Sequence, residues 1–199
     1  MSMRRIWLPI ALALALTGPA LAVSRDPADV PAGTYVLDRQ HASIIAKVPH
    51  MGLSDYVVRF NTFDASFTYD PRNPTASTVK VTIDVNSIDV GDPALSAKFA
   101  KEFLAGDEHP TATFVATELK AIDATRGYMK GDLTLRGVTR PVTLNVAFDG
   151  YTSTALAGTR VGFSAAGQID RTEFGSTFLS PEIVGDEVDI FIEAEFLKK

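Results

Sequence analysis

The chain has 199 residues, no cysteine, 46% hydrophobic and 9% aromatic residues, and 19 basic against 24 acidic side chains, for a formal net charge of −5. The missing cysteine excludes disulfides, thiolate nucleophiles, cysteine-ligated metals and a lipid anchor on cysteine. The acidic balance, with no long basic run to offset it, repels phosphate backbones and anionic headgroups and speaks against nucleic acid as a partner.

The chain opens on Arg4 and Arg5, runs apolar from Ile6 through Leu16, and closes on Gly18, Pro19 and the small triplet Ala20-Leu21-Ala22. This is the layout of a secretory signal peptide cut after Ala22, because the apolar run is much shorter than the ~20 residues that a membrane-spanning helix needs. Arg4-Arg5-Ile6-Trp7-Leu8 also fits a twin-arginine signal; the general secretory route is preferred, and either predicts a bacterial periplasmic protein. Cleavage leaves about 177 residues, enough to bury one core. Without Arg4 and Arg5, 17 basic residues face 24 acidic ones, a net charge of −7. Residues 23–33, rich in Asp, Pro and Ala, predict a linker, and 34–199 a single domain.

From Gln40 onward nearly every segment alternates with period two. Ala42, Ile44, Ala46 and Val48 share one side, as do Val79, Val81, Ile83 and Val85; the pattern returns in Val142, Leu144, Val146 and Phe148, in Val161, Phe163, Ala165 and Ile169, and in Val188, Ile190, Ile192, Ala194 and Phe196. Between Tyr56 and Tyr69 the phase flips: Tyr56, Val58 and Phe60 have one parity, while Phe63, Ala65, Phe67 and Tyr69 have the other, which predicts a β-bulge near Asn61-Thr62. Turns are expected at Asp70-Pro71-Arg72-Asn73-Pro74, Arg126-Gly127, Arg136-Gly137, Gly158 and Gly185-Asp186.

One segment departs from alternation. Asp92-Pro93 offers an N-cap and a first-turn proline, Leu95, Phe99 and Phe103 follow at helical spacing, and Gly106 stands where a C-cap glycine belongs. The expected fold is therefore all-β, an antiparallel barrel of eight or nine strands with one short helix inserted between its halves, lying at a barrel end.

No motif for catalysis stands out. His41 and His50 are nine residues apart, so on one regular strand they point to opposite sides, and no cysteine or His-x-His pairing adds metal ligands. His109-Pro110 reads as a loop fixed by hydrogen bonding, Ser164 lies mid-strand without a nucleophile-elbow glycine, and Asp170-Arg171 reads as an Asx turn beside a charge-paired arginine. Gly127, Gly131 and Gly137 are too scattered to cradle phosphate and suit turns or close strand approach. The 12 phenylalanines and 5 tyrosines mostly follow the apolar faces. An eight-stranded barrel is the size at which such an interior is either just filled or open to one small ligand, and both remain open from the pattern alone.

Six segments together resemble the periplasmic polyisoprenoid-binding, YceI-like family: YVLDRQHASIIAKVPHMG (35–52), FNTFDASFTYDP (60–71), SIDVGD (87–92), KEFLAGDEHPTATF (101–114), GDLTLRGVTRPVTL (131–144) and IDRTEFG (169–175). The resemblance implies an eight-stranded lipocalin-like barrel that encloses an isoprenoid or isoprenoid-quinone type of amphiphile, without catalytic residues, metal or required cofactor. On that reading Phe60, Phe63, Phe67, Phe114, Leu144, Phe148 and Phe163 are the lining candidates, and Leu95, Phe99 and Phe103 stand near the entrance. The expected partner is the lipid, with at most transient membrane contact and a homodimer compatible with the chain. Two alternatives are carried: a filled barrel serving as an interaction or stress-response module, and an enzyme acting on a lipid head group through Asp38, His41 or His50.

Overall fold

The computed structural model describes residues 23–199; the expected signal peptide, residues 1–22, lies outside them. Ten strand segments follow in order: β1 (Gly33–His50), β2 (Ser54–Phe60), β3 (Phe63–Tyr69), β4 (Val79–Asp84), β5 (Ile88–Asp89), then helix α1 (Pro93–Glu102), then β6 (Thr111–Ala121), β7 (Arg126–Leu135), β8 (Val138–Thr154), β9 (Gly158–Asp170) and β10 (Glu187–Lys198). All pairings between them are antiparallel.

The ring runs β1-β3-β4-β6-β7-β8-β9-β10 and closes where β10 returns to β1. β2 and β3 share one edge of β1: β3 pairs with its start, Gly33 opposite Tyr69, and β2 with its end, Ile44 opposite Phe60. They are one bent strand broken at Asn61-Thr62, whose exposed backbone is caught by bonds from Asn61 N–H to the Ser87 carbonyl and from Asp84 N–H to the Thr62 carbonyl. β5 resumes the line of β4 after a 3₁₀ turn at Val85–Ser87. The ten segments thus fill eight positions around a closed barrel, and the expected phase change is the break that bends it.

A second irregularity lies in β1. Leu37 faces Phe196 and Ala42 faces Ala194, so residues 38–41 stand opposite Glu195 alone. The bulge switches the inward parity from Tyr35 and Leu37 to Ala42, Ile44 and Ala46, all of them buried.

Helix α1 begins as expected: Asp92 accepts from Leu95 N–H at 2.7 Å, and Pro93 occupies the first turn. Its end differs. Ala105, not Gly106, takes the left-handed conformation with φ 52°, and Gly106 N–H bonds back to the Ala100 carbonyl at 2.9 Å. Gly106 is needed because a Cβ there would strike the Asn86 side-chain carbonyl. Two other turns also come out differently. The β6–β7 tip is residues 122–125, where Asp123 accepts from Thr125 and Arg126 N–H, whereas Gly127 already lies in β7 opposite Ala121. His109 lays its ring against Gly137, and among the described residues the ring has no hydrogen-bond partner. The β7–β8 hairpin turns on Arg136 and Gly137, with φ 54° and 75°, the left-handed pair that a two-residue hairpin requires.

One end of the barrel, the roof, gathers α1, the β1–β2 and β7–β8 turns and the loop 175–186. Arg136 ties two of these together, its Nη1 donating to the Phe103 carbonyl at 3.0 Å. The other end, the base, holds a packed aromatic cluster. Tyr35 stacks on Phe67 at 4.9 Å, and Phe67 meets Phe163 and Phe196 edge-on at 5.6 and 5.0 Å. Residues 24–31, expected as a linker, belong to this base. Ser24 pairs with Tyr151, Val30 is buried in the base cluster, and the Tyr35 and Tyr69 hydroxyls donate to the Pro31 and Pro27 carbonyls. Proline carbonyls presented to buried tyrosines, and one apolar plug residue, turn a polar-looking tether into a structural element. Burial, with Tyr151 and Tyr69 nearby, pushes the Tyr35 phenol up to about 12, so it remains a donor.

Candidate functional site

Above the packed base the interior is open. A cavity of about 390 Å³ runs inside the barrel, within the ~300–1,000 Å³ range of small-molecule sites. One side is the whole inward face of β10, from Val188 through Ile190, Ile192 and Ala194 to Phe196. Those positions span about 26 Å along the strand, or about 20 Å of barrel axis at a typical strand tilt. Val79, Val81, Ile83 and Val85 form a second wall, and Phe67, Phe163 and Phe196 form the floor. Beside the floor the lining continues to Tyr69, Ser77 and the exposed Pro74.

At the roof the lining is Phe99, Phe103 and Leu104 from the helical segment, with Arg171, Ser176 and Val184. Arg171 is the charged member of the lining and is only 5% exposed. Nε donates to the Gly185 carbonyl, Nη1 to the Ser176 and Phe178 carbonyls, and Nη2 to the Val184 carbonyl and to Asp186 Oδ1. Its five N–H groups are therefore all engaged, and its planar face lies 5.6 Å from the Phe103 ring centroid. Asp170 caps the 3₁₀ turn Arg171–Phe174 by accepting from Thr172 N–H, so the Asx turn is present but the arginine's ion pair is with Asp186. The guanidinium organises the loop 175–186 and leaves no donor for a ligand. With no unpaired charge in its wall, the cavity suits an uncharged chain, since an ionised group brought inside would lose its water without gaining a partner.

Of the sequence-nominated lining residues, Phe60, Phe63, Phe67, Phe99, Phe103, Phe114, Leu144 and Phe163 face the cavity. Leu95 and Phe148 do not. Phe148 points inward but lies at the filled base, its ring 5.7 Å from Phe163. Leu95 sits in the first turn of α1, whose cavity-facing side begins a turn later at Phe99. Among the lining residues that sequence reasoning missed are Arg171, Ser176 and Val184 at the roof. Their only local signal was a charged residue ending a strand, and their inward position comes from the loop that folds back over the barrel.

Asp38, His41 and His50 stand apart from this lining. The β1 bulge brings Asp38, His41 and Glu195 together, the carboxylate and imidazole grouping within ligand distance of one another. A guanidinium already supplies the positive charge there: Arg160 Nη1 bonds to Asp38 and Glu195, while His41 Nδ1 lies 2.9 Å from Asp38 Oδ2. Desolvation raises the Asp38 carboxyl, but hydrogen bonds from Arg160, His41 and the Gln40 backbone outweigh it and hold the group down at about 2. His50 lies at the roof end of β1 with its ring edge-on to Tyr56 at 5.4 Å, away from His41.

The YceI-like domain description matches residues 35–196 of this sequence. The chain belongs to the YceI-like family. A UPF0312 protein of Pseudomonas aeruginosa is 37% identical over 172 residues, covering 84% of this chain and 88% of its own length. A UPF0312 protein of Vibrio cholerae is 33% identical over 99% of this chain and 100% of its own. Among solved structures, Burkholderia cenocepacia BcnA matches with a TM-score of 0.71 at 25% identity, covering 80% of this chain and 98% of that one. A polyisoprenoid-binding domain from Saccharophagus degradans, implicated in plant cell wall breakdown, matches with a TM-score of 0.63 at 15% identity over 83% and 98%. The closed eight-position barrel with one helix is thus the architecture of YceI-like structures.

Proposed function

We propose that this YceI-like protein is a periplasmic carrier or sequestering protein that holds one isoprenoid-type amphiphile non-covalently in the barrel, tail inward, without turnover. The observation that carries the reading is the cavity itself: long, about 390 Å³, and lined by apolar side chains, with its one charged lining group, Arg171, saturated by the protein. The polyisoprenoid-binding domain of the same fold supports it. Each buried methylene-sized group contributes about 0.8 kcal/mol, so an isoprene unit of five carbons contributes about 4 kcal/mol. A few units are enough to offset the translational and ordering costs of association. The periplasmic placement rests on the leader-like pattern of residues 4–22, and a cut after Ala22 spares Ser24 and its pairing with Tyr151.

The test is extraction of the natively purified protein with organic solvent and identification of the cargo by mass spectrometry, together with titration of the delipidated protein with geranylgeraniol. A prenyl lipid in the extract and saturable one-to-one binding are expected. An empty extract with no binding would discard the carrier reading.

A further inference from the structure

Two loops meet at the roof. The β1–β2 turn carries Met51 and Leu53, the loop 175–186 carries Leu179 and Ile183, and Met51 N–H donates to the Ile183 carbonyl at 2.9 Å. Four large apolar side chains are thereby held at one edge, with Leu53 81% exposed, Met51 57%, and Leu179 and Ile183 exposed beside them. Met51 and Leu179 have φ of 53° and 56°. That left-handed conformation is disfavoured for a residue with a Cβ, and glycine or asparagine would fill such a turn with less strain. Below them Val57 and Phe191 are exposed on the outer wall on either side of Lys47, whose Nζ lies 5.3 Å from the Phe191 ring. The loop 175–186 is two-faced: Ser176 and Val184 line the cavity, while Leu179 and Ile183 face solvent.

We propose that this roof edge is a membrane-docking surface, inserted into the headgroup region of a bilayer while the barrel takes up or releases its apolar cargo. The inference rests on the carrier reading above, because cargo of that class resides in a bilayer and a step through open water would expose its chain. The four tip side chains present on the order of 400 Å² of apolar surface, short of the ~800 Å² per partner of a standard protein interface. They project from loop tips, which a fluid apolar phase accommodates better than the surface of a second copy. With 17 basic against 24 acidic side chains after residue 22, and Asp55 and Glu182 flanking the tips, attraction to an anionic surface is absent. Contact must therefore be apolar and suit a zwitterionic headgroup layer. At the base, Ile122 and Leu156 are exposed too, but singly, on separate hairpins.

The test floats the mature protein with phosphatidylcholine vesicles at about 50 and about 500 mM salt, where screening differs severalfold. Wild type is expected to co-float at both. M51S/L53S, and separately L179S/I183S, should lose co-flotation about tenfold, equivalent to about 1.4 kcal/mol, with geranylgeraniol affinity within about twofold of wild type. L156S at the base should float like wild type. The proposal is overturned if wild type does not float, if neither pair reduces flotation, or if L156S reduces it equally. It is overturned in favour of a second copy if lipid-free wild type sediments as a dimer that M51S/L53S dissociates. Flotation is read without cargo, so wild type that floats but fails to bind geranylgeraniol sinks the carrier reading and leaves the docking surface standing.

Discussion

Individual side chains show where this chain has little freedom. Gly131 sits in β7 where a Cβ would come 2.6 Å from the Val115 carbonyl oxygen and closer still to the Phe114 ring. Both belong to the neighbouring strand or the cavity wall, so Gly131→Ala should cost about 1–3 kcal/mol by overpacking, read as a lowered denaturant midpoint with unchanged slope. Asp38 behaves differently because it is a charge. Its folded pKa of about 2 lies below the ordinary 3.8, so its contribution is fully present above pH 4 and is lost as pH falls from about 4 through about 2. The cluster lies near the surface, where water screens it, so the contribution is on the order of 1 kcal/mol. Denaturation midpoints of wild type and Asp38→Asn should therefore converge as pH drops from 5 to 2. The sequence shows Asp38 as one acid among many; that Arg160 reaches it from 122 residues away follows from strand register.

Between residues and whole molecule, the elements that decide the site are the roof loop and the helix. Arg171→Met removes the donors that bind the carbonyls of Ser176, Phe178, Val184 and Gly185, leaving buried acceptors without partners. Each such loss costs about 1–3 kcal/mol, so the variant should be destabilised by about 3 kcal/mol or more and be nicked first within residues 175–186 under limited proteolysis. Helix α1 was legible because its start chemistry is local: Asp92 caps, Pro93 starts, and the aromatic spacing follows the helical period. Gly106 was legible as necessary but for another reason, the close approach of Asn86, because a clash with a residue 20 positions away has no local signature. The roof loop was read only as punctuation. Irregular backbone carries no periodicity, and its purpose here is set by one arginine that folds it back over the barrel.

At the scale of the molecule, an aromatic cluster fills part of the base while the rest of the barrel interior is hollow. Ala165 lines the hollow part, so Ala165→Phe should fill it and lower geranylgeraniol affinity about tenfold or more while leaving the melting temperature unchanged or higher. The fall in affinity is read by titration and the stability by calorimetry. The strands and their inward faces were legible because each strand buries one face and a slip by one residue would expose all of it; the phase flip at Asn61-Thr62 even marked the bend. Apolar alternation also named most cavity-facing phenylalanines, but it could not tell Phe148, packed at the base, from Phe163, which meets both base and cavity. Alternation reports that a side chain leaves water, and that condition is the same whether it meets another side chain or an empty volume. By itself, then, the sequence determined the all-β class, the single helix, the bend and the inward faces, since these follow from nearest-neighbour chemistry and burial. Only the tertiary structure decided that residues 24–31 plug the base, that Arg171 locks the roof, and that the space between them stays open, because each depends on how far apart two distant parts of the chain are held.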